Sequence, residues 1–261
     1  MLIKERKISS MKIALVTGAS SGMGKEAVCF LAEHVTKLDE IWLVARRMEE
    51  MQKLTKQYPN VQFRIFSMDL LEESDEDEFI LALNVTKPKI KFLINASGFG
   101  KIGLFSEVSE KDNTNMVRLN CEALTRMTYI ALPYMEENSY ILQFASSAAF
   151  LPQPEFSVYA ASKSFVLSFS RALNQELKKR KIHVTAICPG PVKTEFFNIA
   201  QEKSEIKIYK KLVMANPKKV VKKAFTDAKR GKEISVYGST MKTFRFLCKI
   251  LPHNLILRFI K

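Results

Sequence analysis

The chain has 261 residues, of which 47% are hydrophobic, and it carries a formal net charge of +14. The hydrophobic fraction excludes disorder for most of the chain, and the length allows one large α/β domain or two small ones. The positive charge suits a nucleic acid, an anionic membrane surface or an anionic cofactor as a partner, and it equally suits a lysine-rich surface that only meets water.

The first half of the chain alternates β-rich runs with helical stretches, which is the pattern of a parallel sheet with crossover helices. Strands are predicted at Lys12–Gly18, Glu40–Arg46 and Val61–Asp69. A helix is predicted from Gly22 to Val35, a second carries RMEEMQKLTKQ, and the acidic run LEESDEDEF begins a third. We interpret these acids as a solvated face near a positive helix N-terminus.

The second half continues this alternation. The fourth strand is predicted at Ile90–Gly98, a long helix follows from Asp112 to Met135, and SYILQFASS is the fifth strand. The helix that carries SVYAASK ends near Lys179, the sixth strand lies in IHVTAICPG, and Glu233–Gly238 is the seventh. No repeat or linker divides the series, so we expect a single α/β domain on a seven-stranded parallel sheet.

Cysteine and histidine usage argues against a disulfide framework and against a metal site. The four cysteines have no paired spacing, and the chain has three histidines. The N-terminal MLIKERKISS lacks the apolar centre of a signal peptide, and Met11 is a second candidate for the true start. No run of about 18 apolar residues predicts a transmembrane helix. We therefore expect a cytoplasmic protein unless something tethers it to a membrane. No nucleic-acid motif accompanies the basic residues, so we expect that it binds neither metal nor nucleic acid.

A glycine-rich run, TGASSGMG at Thr17–Gly24, follows the first strand and opens the first helix. Gly18, Gly22 and Gly24 allow a tight turn and let a pyrophosphate approach the helix N-terminus. The spacing is G-x-x-x-G-x-G rather than the G-x-G-x-x-G of many dinucleotide-binding folds, and a plain loop is the alternative interpretation. The position at a strand–helix junction favours the nucleotide.

The end of the second strand bears on the choice of cofactor. An acidic residue there would accept hydrogen bonds from the adenosine ribose of NAD. This chain instead has Ala45, Arg46 and Arg47, and a guanidinium at that place suits the 2′-phosphate of NADP. A surface arginine pair is the alternative, and the prediction is NADP, with NADPH preferred over NADH.

With these motifs the chain resembles a short-chain dehydrogenase/reductase of the ordinary single-domain branch, from Lys12 to Gly238. The resemblance implies a Rossmann-type, doubly wound sheet with helices on both faces, and an NADP-binding catalytic domain at residues 1–238. NASG stands where the family has NNAG, so backbone packing against the cofactor carries over, but a side-chain role for the second asparagine does not. The cofactor-binding residues implied are Gly18, Ser20, Ser21, Gly22, Met23, Gly24, Arg46, Arg47, Asp69, Leu70, Asn95, Ala96, Ser97, Gly98, Tyr159, Lys163, Pro189, Gly190, Val192 and Thr194.

The resemblance also implies a catalytic set of four residues, Asn120, Ser146, Tyr159 and Lys163. Ser146 lies thirteen residues before Tyr159, which is the family's spacing. The resemblance assigns Ser146 to the substrate oxygen, Lys163 to the nicotinamide ribose, and Asn120 to a water that links Lys163 to solvent. The run CPGPVKTEF matches the family's Pro-Gly turn beside the nicotinamide carboxamide. For Asn120, a helix-bending polar residue is the structural alternative.

Tyr159 and Lys163 are four residues apart and so share one face of a helix. A free tyrosine titrates at about 10, and a neighbouring ammonium together with a cationic nicotinamide ring favours the phenolate. We therefore expect the pKa of Tyr159 to be lowered towards working pH. Its hydroxyl could then give a proton to a carbonyl oxygen, or remove that proton in the reverse reaction.

The segment after the Pro-Gly turn, about Glu195 to Ala215, mixes aromatic, aliphatic and lysine residues, as a lid over an apolar substrate would. Phe150, Phe156 and Phe196 are the predicted substrate contacts. They suggest a bulky hydrophobic ketone or secondary alcohol, such as a steroid-like or acyl compound. An apolar loop that packs only on its neighbours would have the same composition.

The tail at 239–261 carries lysines and arginines without any acid, interleaved with aromatic and aliphatic residues. We expect a basic amphipathic extension packed on the domain, with a subunit interface, a cover over the substrate site and contact with an anionic membrane surface as the alternatives. Similar proteins assemble as dimers or tetramers through two long helices, so a homodimer or homotetramer is expected.

Two classes of function follow. The favoured one is an NADPH-dependent carbonyl reductase or alcohol dehydrogenase acting on a small-molecule substrate. The alternative is a binding module on the same fold, either a nucleotide sensor without turnover or a membrane-associated scaffold. The four residues of the implied catalytic set favour the enzyme, because a sensor has no need of all of them, whereas the fold alone would not decide.

Overall fold

The computed structural model describes residues 11–196, 200 and 214–258. Its strands in chain order are β1 (Lys12–Thr17), β2 (Glu40–Ala45), β3 (Phe63–Ser67), β4 (Lys89–Asn95), β5 (Met135–Phe144), β6 (His183–Ile187) and β7 (Ile234–Ser235). They form one seven-stranded sheet in the order β3-β2-β1-β4-β5-β6-β7, in which every neighbouring pair is parallel. The predicted Rossmann-type, doubly wound fold is therefore confirmed.

The central strands are apolar on both faces because helices cover both sides of a parallel sheet. Every residue of β1 after Lys12 and every residue of β2 after Glu40 is buried. Successive side chains of a strand point to opposite faces. Ile13 and Leu15 accordingly join one hydrophobic cluster, whereas Ala14 and Val16 join a second on the other face.

Helices cover the two faces and continue past the last strand. The α-helices are α1 (Gly22–His34), α2 (Met48–Thr55), α3 (Asp77–Thr86), α4 (Glu110–Val117), α5 (Leu124–Ala131), α6 (Ser157–Glu176), α7 (Pro217–Lys229), α8 (Ser239–Ile250) and α9 (His253–Leu257).

The long helix predicted from Asp112 to Met135 is wrong in its bounds and its continuity. It begins at Glu110, where the Ser109 hydroxyl caps the helix by accepting from the Asp112 backbone N–H at 3.0 Å. Residues Arg118–Ala123 then form a π-helical turn between α4 and α5. Pro133 cannot donate a helical hydrogen bond, so α5 ends just before it and Met135 already belongs to β5.

The C-terminal helices α8 and α9 follow β7, and α8 packs on the loops above the sheet. A Cβ added to Gly190 would lie 2.5 Å from the Met241 sulfur, and the Arg245 guanidinium lies 6.0 Å from the centroid of the Phe150 ring. Within the described part of the chain, no helix is both long and apolar enough to cross a bilayer.

Candidate active site

The carboxyl ends of the strands open into a cleft with a cavity volume of about 620 Å³. The connections leave β1 and β4 in opposite directions, and ligands of doubly wound sheets bind at this switch point. The cleft collects most of the residues that the sequence predicts for it, namely Gly18, Ser20, Ser21, Gly22, Met23, Arg46, Arg47, Asp69, Leu70, Ala96, Ser97, Gly98, Ser146, Phe156, Tyr159, Lys163, Pro189, Gly190, Val192, Thr194 and Phe196.

The glycine-rich turn joins β1 to α1 at one end of this cleft. Gly18 has a φ of 69°, and a Cβ there would lie 2.8 Å from the carbonyl carbon of Ala96. A Cβ on Gly24 would meet the Gly18 carbonyl oxygen, so only glycine lets the helix start this close to the strand. The first N–H groups of an α-helix have no partner within the helix and favour an anion. The turn therefore fits the pyrophosphate of a dinucleotide.

Two exposed arginines lie where β2 ends. Arg46 Nη1 is 3.6 Å from the Asp69 carboxylate, and its side chain is 70% exposed. Arg47 Nη1 contacts the Glu195 carboxylate at 3.0 Å, and its Nε donates to Ser20 Oγ at 3.4 Å. Arg46 and Arg47 thus bring two guanidinium groups to this rim of the cleft, each paired with a carboxylate, and a guanidinium can donate to a phosphate group.

The loop that follows β3, Asp69–Leu71, forms the neighbouring wall of the cleft. Arg126 donates to the Leu70 carbonyl at 2.9 Å and, through Nε, to the buried Glu76 carboxylate at 2.8 Å. Arg118 donates to the Leu71 carbonyl at 2.6 Å. Two arginines from the α4–α5 region thus hold the backbone of this wall.

Tyr159 lies in the first turn of α6 at the other end of the cleft. It is only 7% exposed, and the Ser146 side chain is near enough to its hydroxyl to lower the Tyr159 pKa in part. The Tyr159 ring is stacked on Phe156 with centroids 4.2 Å apart and is tilted against Phe196 at 5.4 Å. Ser146 precedes a short 3₁₀ turn and caps it by accepting from the Ala148 N–H at 3.1 Å. Ser146 and Tyr159 therefore line the same cleft.

Lys163 lies one turn further along α6 and is buried. Its Nζ donates to the Phe144 carbonyl at 2.8 Å and lies 5.7 Å from the centroid of the Tyr159 ring. Burial lowers the pKa of Lys163 to about 8, and burial raises the pKa of Tyr159 to about 12 even though the Ser146 hydrogen bond lowers it in part. In the protein by itself, burial of the phenolate thus dominates. The expected lowering, which includes the charge of a bound nicotinamide ring, stays a prediction.

Asn120 lies in the π-helical turn and is fully buried. Its Oδ1 accepts from the Phe99 N–H at 3.1 Å, and its Nδ2 donates to the Phe99 carbonyl at 2.9 Å and to Ser162 Oγ at 3.0 Å. The side chain thereby fixes the loop after β4 against α6. This contact set supports the structural interpretation of Asn120, and its role in a proton relay stays a prediction.

Four of the predicted residues do not line the cleft, and they are Gly24, Asn95, Asn120 and Phe150. The Asn95 amide donates to Thr128 and Gln143, each at 3.0 Å, and so joins β4 to its neighbours. Phe150 packs in a hydrophobic cluster with Met241 instead of facing substrate. The predicted lid, about Glu195 to Ala215, lies mostly outside the described residues.

Sequence reasoning missed one wall of the cleft. Asp112, Asn115 and Leu119 line it from α4 and the turn that follows, and Lys101 and Gln153 line it from loops. The three helical residues are spaced at i, i+3 and i+7, so they share a face. That periodicity was the available signal, but only tertiary packing shows that this face meets the cleft.

The comparisons with known proteins point to one family. A family model described as short chain dehydrogenase matches residues 12–205. A very-long-chain 3-oxoacyl-CoA reductase of Phaeosphaeria nodorum is 30% identical over 218 residues, which are 80% of this chain and 61% of that protein. This chain therefore spans less than two thirds of the length of that relative.

Solved structures share the fold. A short-chain dehydrogenase from Sphingobium yanoikuyae, in complex with NADPH, has a TM-score of 0.74 and 23% identity, and the match covers 93% of this chain and 96% of that one. A short chain dehydrogenase/reductase from Burkholderia phymatum, in complex with NAD, has a TM-score of 0.77 and 18% identity over 95% of each chain. At these identities the likeness concerns the fold.

Proposed function

The chain belongs to the short-chain dehydrogenase family, and we propose that it is an oxidoreductase that transfers a hydride between NADP(H) and a carbonyl or secondary alcohol. The observation that carries the proposal is that Ser146, Tyr159 and the buried Lys163 line the same cleft as the glycine-rich turn. A dinucleotide held at the turn and extended along the cleft would reach this group of side chains.

The nicotinamide, when bound, supplies or accepts the hydride. The chain's own residues handle the oxygen and the proton. Ser146 and Tyr159 hydrogen-bond the substrate oxygen, which holds the reacting carbon in place. Tyr159 gives that oxygen a proton during reduction and takes it back during oxidation. Phe156 and Phe196, which flank the Tyr159 ring, exclude water from this proton transfer.

The choice of NADP over NAD rests on Arg46 and Arg47. Both line the cleft at the end of β2, and the Arg46 side chain remains 70% exposed while it pairs with Asp69. A guanidinium forms charge-assisted hydrogen bonds with a phosphate, so the 2′-phosphate of NADPH is the ligand that this rim would recognise. Asp69 and Leu70 would contact the adenine beside it.

A bulky hydrophobic substrate is proposed from the lining near Tyr159. Phe99, Phe156 and Phe196 pack against the cluster that holds Tyr159, and together with Leu119 they line the cleft. A long acyl chain with an oxo group is one compound of this class, and the reductase of Phaeosphaeria nodorum is named for such a substrate. A steroid-like ketone would meet the same apolar walls.

Assembly and location are part of the proposal. Val117 is 48% exposed, Tyr129 80% and Phe165 44%, and these side chains lie on α4, α5 and α6. Such apolar surface on the long helices supports a homodimer or homotetramer. We place the enzyme in the cytoplasm, where four free cysteines would stay reduced.

The experiment that tests the function follows nicotinamide absorbance while the purified full chain meets bulky ketones with NADPH or NADH. We expect oxidation of NADPH and little oxidation of NADH. Replacing both Arg46 and Arg47 by Ala should raise KM for NADPH by about 10- to 100-fold and leave KM for NADH nearly unchanged. Lys53→Ala, an exposed lysine on α2, is the control for loss of one surface charge.

A protein that binds NADPH but turns over none of the ketones would contradict the proposal in favour of a nucleotide-sensing module. Equal use of both cofactors, unchanged in the Arg46/Arg47 variant, would refute the NADP preference while leaving the oxidoreductase intact.

A further inference from the structure

The outward face of α8 is apolar. Phe246 and Ile250 are each 60% exposed and Leu247 is 43% exposed. Residues four positions apart share a helix face, so Phe246, Leu247 and Ile250 form one stripe. The opposite face packs inward through Met241 and the buried Cys248. Three large apolar side chains on one short helix are thus left facing water.

The apolar surface continues from α8 onto α9. A groove of about 170 Å³ separates the two helices, and its lining within the described residues is Phe244, Leu247, Cys248, Leu251, Leu255 and Ile256. Leu251 and Leu255 are 38% and 42% exposed. Because the patch combines one helix face with this groove, it is larger than scattered surface residues would give, and such patches mark contact sites.

Basic residues border this patch. Lys242, Arg245 and Lys249 are spaced at i, i+3 and i+7, which places them together along one flank of α8, and all three are exposed. Arg258 follows at the end of α9. No acidic residue occurs anywhere in 239–261. An apolar stripe beside a basic flank is the pattern of a helix that lies in the interface of a membrane.

We propose that α8 and α9 dock this protein on the surface of an anionic lipid bilayer. The apolar stripe would enter the headgroup region, and the basic flank would face the lipid phosphates. A second copy of the chain fits the patch less well. In a two-fold contact the same patch faces itself, so the cations would approach each other without a carboxylate from this segment to pair with them.

Docking of α8 on a bilayer would also determine where the cleft lies relative to the membrane. The helix packs on residues 147–150 and on the turn at Gly190, and Ser147, Ala148 and Gly190 line the catalytic end of the cleft. The catalytic end would therefore lie beside the bilayer, and an apolar ketone dissolved there could enter it. That consequence rests on the proposed function, whereas the docking itself does not.

Co-sedimentation of the full chain with vesicles tests the docking. We expect binding to phosphatidylcholine mixed with phosphatidylglycerol, and little binding to phosphatidylcholine alone. Phe246→Ser with Ile250→Ser should abolish binding. Lys242→Gln with Lys249→Gln should weaken it by about 30-fold, because each cation contributes about 1 kcal/mol near an anionic surface. All four positions are exposed, and reduction of a water-soluble ketone should be unchanged in both variants.

Lys219→Gln with Lys222→Gln is the matched control, since it removes the same charge from exposed positions of α7. An equal loss of binding in this control would overturn the proposal, because attraction would then come from net charge alone. Unchanged binding after Phe246→Ser with Ile250→Ser would also overturn it. A wild-type dimer that ignores vesicles and becomes a monomer in that variant would assign the patch to a second copy instead. None of these results depends on turnover, so the proposed activity stands or fails separately.

Discussion

The two ends of the cleft differ in burial: one is formed by buried side chains and the other by exposed charged ones. At the catalytic end Tyr159 and Lys163 are buried, held by Ser146 and by a backbone carbonyl, and enclosed by aromatic rings. At the β2 end the recognising groups are the exposed Arg46 and Arg47, paired with carboxylates at the surface. Burial shifts pKa values and excludes water, whereas exposed charges are screened and individually weak. Under the proposed function, chemistry is therefore fixed at the buried end, and cofactor preference is easily adjusted at the exposed end.

The largest effect should come from the catalytic end. Tyr159→Phe removes the hydroxyl that we propose moves the proton, and it leaves the ring stacked on Phe156. We expect kcat to fall by about 10²- to 10⁴-fold, which is the usual contribution of a general acid or base. NADPH affinity, measured by calorimetry, should stay within about twofold of the wild type.

Tyr129→Phe is the control for loss of a tyrosine hydroxyl, because Tyr129 is 80% exposed on α5. If Tyr159→Phe kept its turnover, the proton would come from another group and the two ends would not differ in the way described.

Replacing Lys163 tests whether a side chain that we propose is needed for turnover lowers the free energy of unfolding. Burial lowers its pKa to about 8 from the ordinary 10.5, so the folded protein disfavours the charge. Lys163→Met should abolish most turnover and yet raise the free energy of unfolding at pH 7 by about 1–3 kcal/mol. Urea unfolding of both proteins measures the difference.

The pH dependence has a definite sign. Because the unfolded chain binds the Lys163 proton more tightly, the destabilisation is complete below pH 8 and disappears as the pH rises towards 10.5. The stability advantage of Lys163→Met should shrink over that interval. An advantage that stayed constant across it would mean that packing, not charge, is responsible.

The wall formed by the loop Asp69–Leu71 has its backbone carbonyls fixed by hydrogen bonds from arginines. Arg126 bonds to the Leu70 carbonyl and to Glu76. Arg126→Lys keeps a cation for Glu76 but loses the fork that reaches both partners. We expect KM for NADPH to rise by about 10-fold, with kcat unchanged, since the reacting atoms lie at the other end.

Arg180→Lys is a matched control for this change. Arg180 also donates to two backbone carbonyls, those of Leu132 and Met135, both at 3.1 Å, but these lie away from the cleft. It should lower stability without any change in KM. Equal KM values in the two variants would show that Arg126 acts on folding alone.

Sequence patterns predicted the structural features that depend on the spacing of nearby residues. The buried strands, the glycine-rich turn and the shared face of Tyr159 and Lys163 follow from periods of two and of 3.6 residues, and from backbone chemistry within a few positions. The substrate role of Phe150 was not supported, because its ring turns under α8, which lies about 90 residues further along the chain. Composition could not show which aromatic side chains a distant helix would cover.

The ion pairs and the burial of titratable side chains were predicted less completely than the sequence motifs. Arg47 follows β2 and pairs with Glu195, which comes 148 residues later. The sequence also shows the cation beside Tyr159 but not the depth of burial that raises its pKa in the protein alone. Contacts across the switch point depend on how the loops pack, and no period in the sequence reports that.

The smallest effect should come from the exposed end, where Glu195 holds Arg47 at 3.0 Å. A 2′-phosphate and this carboxylate would compete for the same guanidinium, so Glu195→Gln should lower KM for NADPH. The pair is about half exposed on each side, and exposed pairs contribute about 0.2–1 kcal/mol, so the change should be about twofold to fivefold. KM for NADH should not change, and added salt should erase the difference. Glu155→Gln, an exposed acid in the loop before α6, controls for a change in net charge. A rise in KM for NADPH would mean that Glu195 orients Arg47 towards the phosphate, and the exposed end would then be as closely organised as the buried one.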